Sequence, residues 1–330
     1  MLIGTYKFDN RIPVSVAALK PIGYTVYCRY FNRNGTEHEK PMKSFIYPLF
    51  VVMCDQKSSE TRIEITDSPS GNVLEQFQIN ITRWNENYKR FLTHCSAPMF
   101  GKEPKWLHLV EMIEHYKLQG VSKFYFYDRE IGLYDTFLLK YYADKKEEVE
   151  LIEIPPIYFD AVSQQLLAIA DCHLRNRLFS NWTNFSDIDE RMMMTEEKET
   201  LREFLQDSIS DKNGAVMFAQ RWIFKYEKLP QKFENYQQIM EQLPTRRWQL
   251  TTQPGINCTD GKHCWGKLIK NNQKVLQMLV HDVGEYEDGY PLILPPDVGY
   301  IRHYRDVNMD NWWDRNKGAL LKFQPFTNTT

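Results

Sequence analysis

From Phe91 onward the sequence changes rhythm, and that change constrains the fold more than any other feature. Short runs of β-branched and aromatic residues alternate with longer stretches whose apolar residues recur every three to four positions, giving the order strand, helix, strand, helix. Such alternation builds a mainly parallel sheet with covering helices, because parallel neighbours need a crossover that a helix supplies. His94 to Phe100 reads as the first strand. Pro104 then stands in a first helical turn, where its missing N–H costs nothing, and Trp106, Leu109, Val110, Ile113 and Tyr116 share one face before Gly120 stops the helix. Val121 to Tyr127 is a second strand ending at Asp128, Tyr134 to Tyr142 a second helix, and Val149 to Ile154 a third strand closed by Pro155-Pro156. A helix from about Ala161 to Phe179 leads into an aromatic strand that ends in Asp187-Ile188-Asp189. Beyond it, residues 195–209 read as an amphipathic surface helix and Ala215 to Phe224 as an apolar strand. Lys267 to Leu279 reads as a further helix, and Tyr286 to Phe323 as an ordered loop folding back across the sheet.

Before Phe91 the pattern is strands alone: Val14 to Leu19, Thr25 to Phe31, Phe45 to Cys54, Arg62 to Thr66 and Val73 to Thr82, separated by Gly, Pro, Asn and Ser clusters. The expectation is an α/β protein in two parts, a β-rich antiparallel unit over residues 1–90 and the sheet-and-helix domain over residues 91–330. A net charge of −2 gives no reason to expect nucleic acid or an anionic membrane as partner. The longest apolar run, Phe45 to Met53, is too short to span a bilayer and contains Pro48, so a membrane connection would need an anchor absent from this chain.

Six cysteines form no metal-binding pattern, and their even number suits disulfides. Nearest-neighbour pairing joins Cys28 to Cys54 and Cys258 to Cys264, leaving Cys95 for Cys172, one of several connectivities the count allows. Acceptor sequons at Asn34, Asn80, Asn181, Asn184, Asn257 and Asn328 point the same way, to the secretory pathway. Asn181 and Asn184 stand too close to the acidic pair for both to carry glycans.

Asp187 and Asp189 lie one residue apart at a strand's carboxyl end, where open α/β sheets bind nucleotides. If the backbone stays extended there, the two carboxylates share one side. Hard oxygen ligands so held suit a divalent cation with open positions for phosphate oxygens. An isolated Asp-x-Asp is more often a strand cap, so its neighbours must decide.

Those neighbours form an ordered set: Cys95-Ser-Ala-Pro-Met-Phe-Gly-Lys-Glu-Pro-Lys-Trp-Leu107, Gly120-Val-Ser-Lys-Phe-Tyr-Phe-Tyr-Asp128, Asp171-Cys172, Ser186-Asp-Ile-Asp-Glu190 and Arg302-His-Tyr-Arg305. In this order they resemble glycosyltransferase family 92 over roughly residues 5–310. The resemblance implies a GT-A-like, Rossmann-type domain and an inverting, metal-dependent transferase, usually a type II Golgi membrane protein. It also implies a UDP-sugar donor, UDP-galactose in the better-known animal members, and a glycan or glycoprotein acceptor such as fucose of an N-glycan core. Asp187 and Asp189 then become ligands of Mn²⁺ or another divalent cation, with His303 as third ligand and His281 in reserve, since imidazole suits Mn²⁺ better than Mg²⁺.

Further candidates carry weaker signals. Asp171 and Arg175 share a helix face and could steady a diphosphate or simply pair with each other, with Arg177 close by. Lys267, beside Gly266 at the start of an expected helix, is a phosphate candidate, and Asp128 could meet uracil or ribose. Inversion needs a carboxylate to take the acceptor's proton, and Asp260, Asp282 and Glu190 are all open for that role. Trp312 and Trp313 could stack on an acceptor sugar or fill a core. Two rival readings use the same residues: a catalytically inactive, lectin-like glycan binder and a secreted calcium-binding module.

Overall fold

The computed structural model describes the chain except residues 1, 7, 9, 19–20, 38, 58–61, 72, 79–89, 147, 155–159, 196–198, 252–265, 307–320 and 323–330. Seven strands make the N-terminal part: β1 (Leu2–Thr5), β2 (Arg11–Val16), β3 (Thr25–Phe31), β4 (Met42–Phe45), β5 (Val51–Asp55), β6 (Arg62–Thr66) and β7 (Val73–Gln78). They pair antiparallel in two sheets, β1-β2-β5 and β4-β3-β6-β7. Inward residues of both, including Ile12, Val14, Tyr30, Val52 and Ile63, form one core. The Cys28–Cys54 disulfide crosses it from β3 to β5.

The rest of the chain is built on one large mixed sheet. Its first half holds β8 (Arg90–Ser96), the two-residue β9 (Met99–Phe100), helix α1 (Trp106–Leu118), β10 (Val121–Arg129), α2 (Leu133–Lys146), β11 (Val149–Glu153), α3 (Ala161–Arg177) and β12 (Ser180–Ser186). Strands β11, β10, β8 and β12 run parallel in that order. The alternation starting near Phe91 is therefore borne out, and α1 buries Trp106, Leu109, Ile113 and Tyr116 as its spacing requires.

The second half mixes strand directions. It comprises β13 (Glu190–Met194), α4 (Leu201–Asp207), β14 (Asn213–Lys225), α5 (Tyr236–Gln242), α6 (Pro244–Arg247), β15 (Leu250–Thr251), β16 (Gly266–Asn271), β17 (Val275–Met278), β18 (Val283–Tyr286), β19 (Tyr290–Ile293), β20 (Gly299–Asp306) and β21 (Leu321–Lys322). Strand β16 lies antiparallel between β12 and β14, while β20 runs parallel to β14 and antiparallel to β13. The sheet is thus mixed: four neighbouring strands run parallel, and beyond the antiparallel β16 both β19 and β20 pair parallel with β14.

Three expectations are corrected. Lys267 to Leu279 is two strands, not a helix: Ile269 packs into one core and Leu268 into the other, and a turn at Asn272–Lys274 separates β16 from β17. The surface helix shrinks to α4, whose start is fixed by a capping box between Thr200 and Glu203. The closing segment contains β19 and β20, the latter buried along most of its length, so it belongs to the sheet and does not fold across it as a loop.

Candidate active site

The acidic pair does not lie on extended backbone. Asp187, Ile188 and Asp189 form a tight turn joining β12 to β13, closed by the Glu190 N–H donating to the Asp187 carbonyl at 3.0 Å. Buried side chains hold that turn from below. Arg191, fully buried, donates to the Ile188 carbonyl at 2.7 Å and pairs with Glu111 of α1 at 3.2 Å. The Tyr116 hydroxyl donates to the Glu190 carbonyl, and the Tyr304 N–H of β20 donates to the Asp189 carbonyl at 2.9 Å.

Four further side chains converge on the turn. Glu190, fully buried, accepts from the Asp187 N–H at 2.8 Å and from the Gln220 amide at 3.1 Å. Lys267 stands 3.1 Å from Asp187 Oδ2 and 3.6 Å from Glu190 Oε2. A side chain at Gly266 would meet the Phe218 carbonyl at 2.6 Å, so the bare glycine lets β16 close against β14 and bring Lys267 into range. His303 arrives from β20, where the strand register sets it opposite Glu190, with Nε2 3.7 Å from Asp189 Oδ2 and Nδ1 3.3 Å from Glu190 Oε1. Gln220 Oε1 also lies 3.2 Å from His303 Nδ1. Both Nδ1 neighbours are acceptors, so Nδ1 carries the hydrogen and Nε2 turns a lone pair toward Asp189.

Electrostatics follow from that crowding. Burial, then the neighbouring Asp187 charge, pushes Asp189 up to about 6. Glu190 is likewise raised, first by burial, with Lys267 opposing and the two aspartates adding to it. His303 is held down to about 3 chiefly by burial, so its imidazole is neutral. Within ion-pair distance of the three carboxylates the described residues supply one ammonium, Lys267. Asp187 Oδ1 is buried without a hydrogen-bond partner. Among the described residues no three His, Cys, Asp or Glu side chains are already gathered as a complete ligand set. The donor chemistry nevertheless fits a divalent cation, with a surplus of hard oxygens, a neutral imidazole and one carboxylate oxygen unused.

A cleft of about 1150 Å³ opens beside the turn, large enough for a nucleotide-sized ligand. Its walls include Asp187, Asp189, Lys102, Lys105, Lys225 and Trp248. Lys225 stands on β14 and pairs with Asp306 at 3.0 Å.

Other candidates are not brought to this point. Asp171, fully buried, accepts from Tyr6, Ser15, Tyr127 and Arg175 at 2.5–2.7 Å. Arg175 also pairs with Glu150, so Asp171 and Arg175 tie the N-terminal strands to α3 instead of facing the cleft. Arg177 is engaged by Glu287 and the Val275 carbonyl. Asp128 caps the turn after β10 by accepting from the Ile131 N–H at 3.0 Å. Asp282 accepts from the next residue's N–H in the loop before β18. His281 bonds the Gly266 carbonyl at 2.8 Å, within electrostatic reach of Asp187. Asp260, Trp312, Trp313, Cys258 and Cys264, with the sequons at Asn80, Asn257 and Asn328, lie outside the described residues. Asn184 is fully buried in β12, which rules out a glycan there in the folded protein, whereas Asn34 is exposed in a turn.

Residues 90–330 match the family described as Glycosyltransferase family 92. The chain belongs to glycosyltransferase family 92. A curated β-1,4-galactosyltransferase of Caenorhabditis elegans is 28% identical over 199 residues, covering 58% of this chain and 46% of its own length. This family 92 chain therefore spans under half of that relative, and glycosyl transfer in general is what the two likenesses support. Sequence reasoning missed Arg191, Tyr116, Gln220 and Lys225 because nothing in their local spacing marks them; only the strand order gathers them.

Proposed function

We propose that this family 92 chain is an inverting glycosyltransferase that moves a hexose, galactose from UDP-galactose, onto a glycan or glycoprotein acceptor such as fucose of an N-glycan core. The donor would lie in the cleft, over a parallel half-sheet read as GT-A-like and Rossmann-type, with a divalent cation, Mn²⁺, held by Asp187, Asp189 and His303. One observation carries this reading: His303, far along the chain, reaches Asp189 at 3.7 Å beside the unpartnered Asp187 Oδ1. The name of the nematode relative supports galactose as the sugar.

A bound cation would supply charge neutralisation at the departing diphosphate. The residues of the chain bind and orient the reactants, and a carboxylate must take the acceptor hydroxyl's proton as the bond to the diphosphate breaks. Asp187 and Asp189 orient the ligand set, and Glu190 acts one layer below as a positioning residue by fixing the Asp187 N–H and the imidazole. Lys102, Lys105 and Lys225 line the cleft and oppose phosphate charge. Disulfides Cys28–Cys54 and Cys95–Cys172 support an oxidising compartment, for which we propose the Golgi lumen.

The test is UDP release from a panel of UDP-sugars with glycan acceptors, with and without Mn²⁺. Turnover should require the metal, and Asp189→Asn should lower it by roughly two orders of magnitude or more at unchanged melting temperature. Equal turnover by Asp189→Asn would remove the acidic turn from the mechanism.

A further inference from the structure

The face of β14 and β20 that carries His303 continues to a solvent-facing indole. Trp222 is 41% exposed and is paired with His303 across the ladder. Its indole N–H donates to Gln220 Oε1 at 3.3 Å, the same oxygen that lies 3.2 Å from His303 Nδ1. The Gln220 amide nitrogen meets Glu190. One glutamine thus links the exposed indole to two side chains under the acidic turn. Arg305, also exposed, sets its guanidinium 4.9 Å from the indole centroid.

Strand alternation fixes which way this pair looks. Residues 219–225 of β14 pair with 300–306 of β20 without a register shift, so Trp222 and Lys225 point to opposite faces. Lys225 lines the cleft. The acidic turn touches both: Asp187 and Asp189 line the cleft, and Asp189 lies 3.7 Å from His303, whose face carries Trp222 and Arg305.

We propose that Trp222 and Arg305 form the platform for the acceptor's terminal pyranose, an inference that rests on the transferase reading above. The indole stacks on the C–H face of the ring, and the guanidinium donates to hydroxyls at its edge. In-line displacement at an anomeric carbon requires the acceptor opposite the leaving diphosphate. A donor in the cleft leaves the Trp222 flank for the acceptor. The buried Trp248 illustrates the contrasting case: at 1% exposure it packs with Ile223 and Tyr304 in a small core.

Trp222→Ala, Trp222→Phe and Arg305→Met are compared with the wild type for transfer from UDP-galactose to a fucosylated N-glycan core oligosaccharide. Trp222→Ala should raise the acceptor KM about tenfold or more, with the donor KM staying within about twofold. Trp222→Phe should restore most of the acceptor affinity, and Arg305→Met should fall between. An unchanged acceptor KM overturns the platform, and so does a parallel loss of UDP–Mn²⁺ affinity by calorimetry, which would mark Trp222 as structural. If the wild type turns over no donor, the transferase reading fails by itself. Saturation-transfer NMR of the same oligosaccharide then decides. A sugar-ring signal that the wild type gives and Trp222→Ala does not upholds the platform; a signal that persists in the variant, or that the wild type never gives, overturns it.

Discussion

Glu190 meets partners of four kinds while fully buried: a backbone N–H, a glutamine amide, an ammonium and an imidazole. Removing it as Glu190→Ala leaves Lys267 with Asp187 alone and strands the Asp187 N–H, and breaking such a buried pair costs about 3–5 kcal/mol. Urea denaturation should read that loss. Glu190→Gln keeps an acceptor for the N–H and should cost less than half as much. Local sequence offered Asp187 and Asp189 as two hard oxygen ligands, but an isolated Asp-x-Asp is more often a cap, and the ordered set of motifs around it carried the reading. It could not show that Glu190 turns inward, since that depends on the turn reversing the chain between β12 and β13. Arg191 was illegible for a related reason. An arginine next to a glutamate reads as surface, yet it is fully buried and holds the turn.

Helix α3 concentrates the molecule's fastenings on one face. Asp171 reaches the N-terminal strands, Cys172 is bonded to Cys95 of β8, and Asn176 accepts from Thr93 at 2.7 Å. The double substitution Cys95→Ala with Cys172→Ala should destabilise by about 2–4 kcal/mol, since the bridge closes a loop of 77 residues' separation. Urea denaturation of the double variant beside the wild type, both without reductant, would check it. The pairing was the remainder left by nearest-neighbour assignment of the other cysteines, and the helix was legible from its periodicity. Strand β16 was not. Lys267 and Lys270 sit three apart as on a helix, yet Lys270 is fully buried, donating to Asn272 at 2.5 Å and lying 2.6 Å from His173 Nδ1. Burial pushes its amine well below the usual lysine range, a condition no local pattern announces.

Across the whole molecule, burial keeps several histidines neutral. His94 and His115 are held down to about 3, chiefly by burial, and His108 and His173 also fall well below the ordinary value of 6.5. Below pH 6.5 the unfolded chain takes up protons at these histidines that the folded one refuses, so their share of stability should rise with pH from about 3 to 6.5, opposed in part by the raised Asp189 and Glu190 carboxyls. Urea midpoints at pH 5 and pH 7.5 check the sign, and a higher midpoint at pH 5 would refute it. By itself the sequence determined the α/β alternation and the strand-only N-terminal part, because both rest on periodicity, and it favoured the Cys28–Cys54 pairing by nearest-neighbour spacing, with Cys95–Cys172 as the remainder. Only tertiary structure decided that β16 runs against its neighbours β12 and β14, that Asp171 ties the N-terminal strands to α3, and that His303, Gln220 and Lys267 meet at the turn. Those facts depend on strand order and register, which bring together side chains whose separation along the chain carries no trace of their meeting.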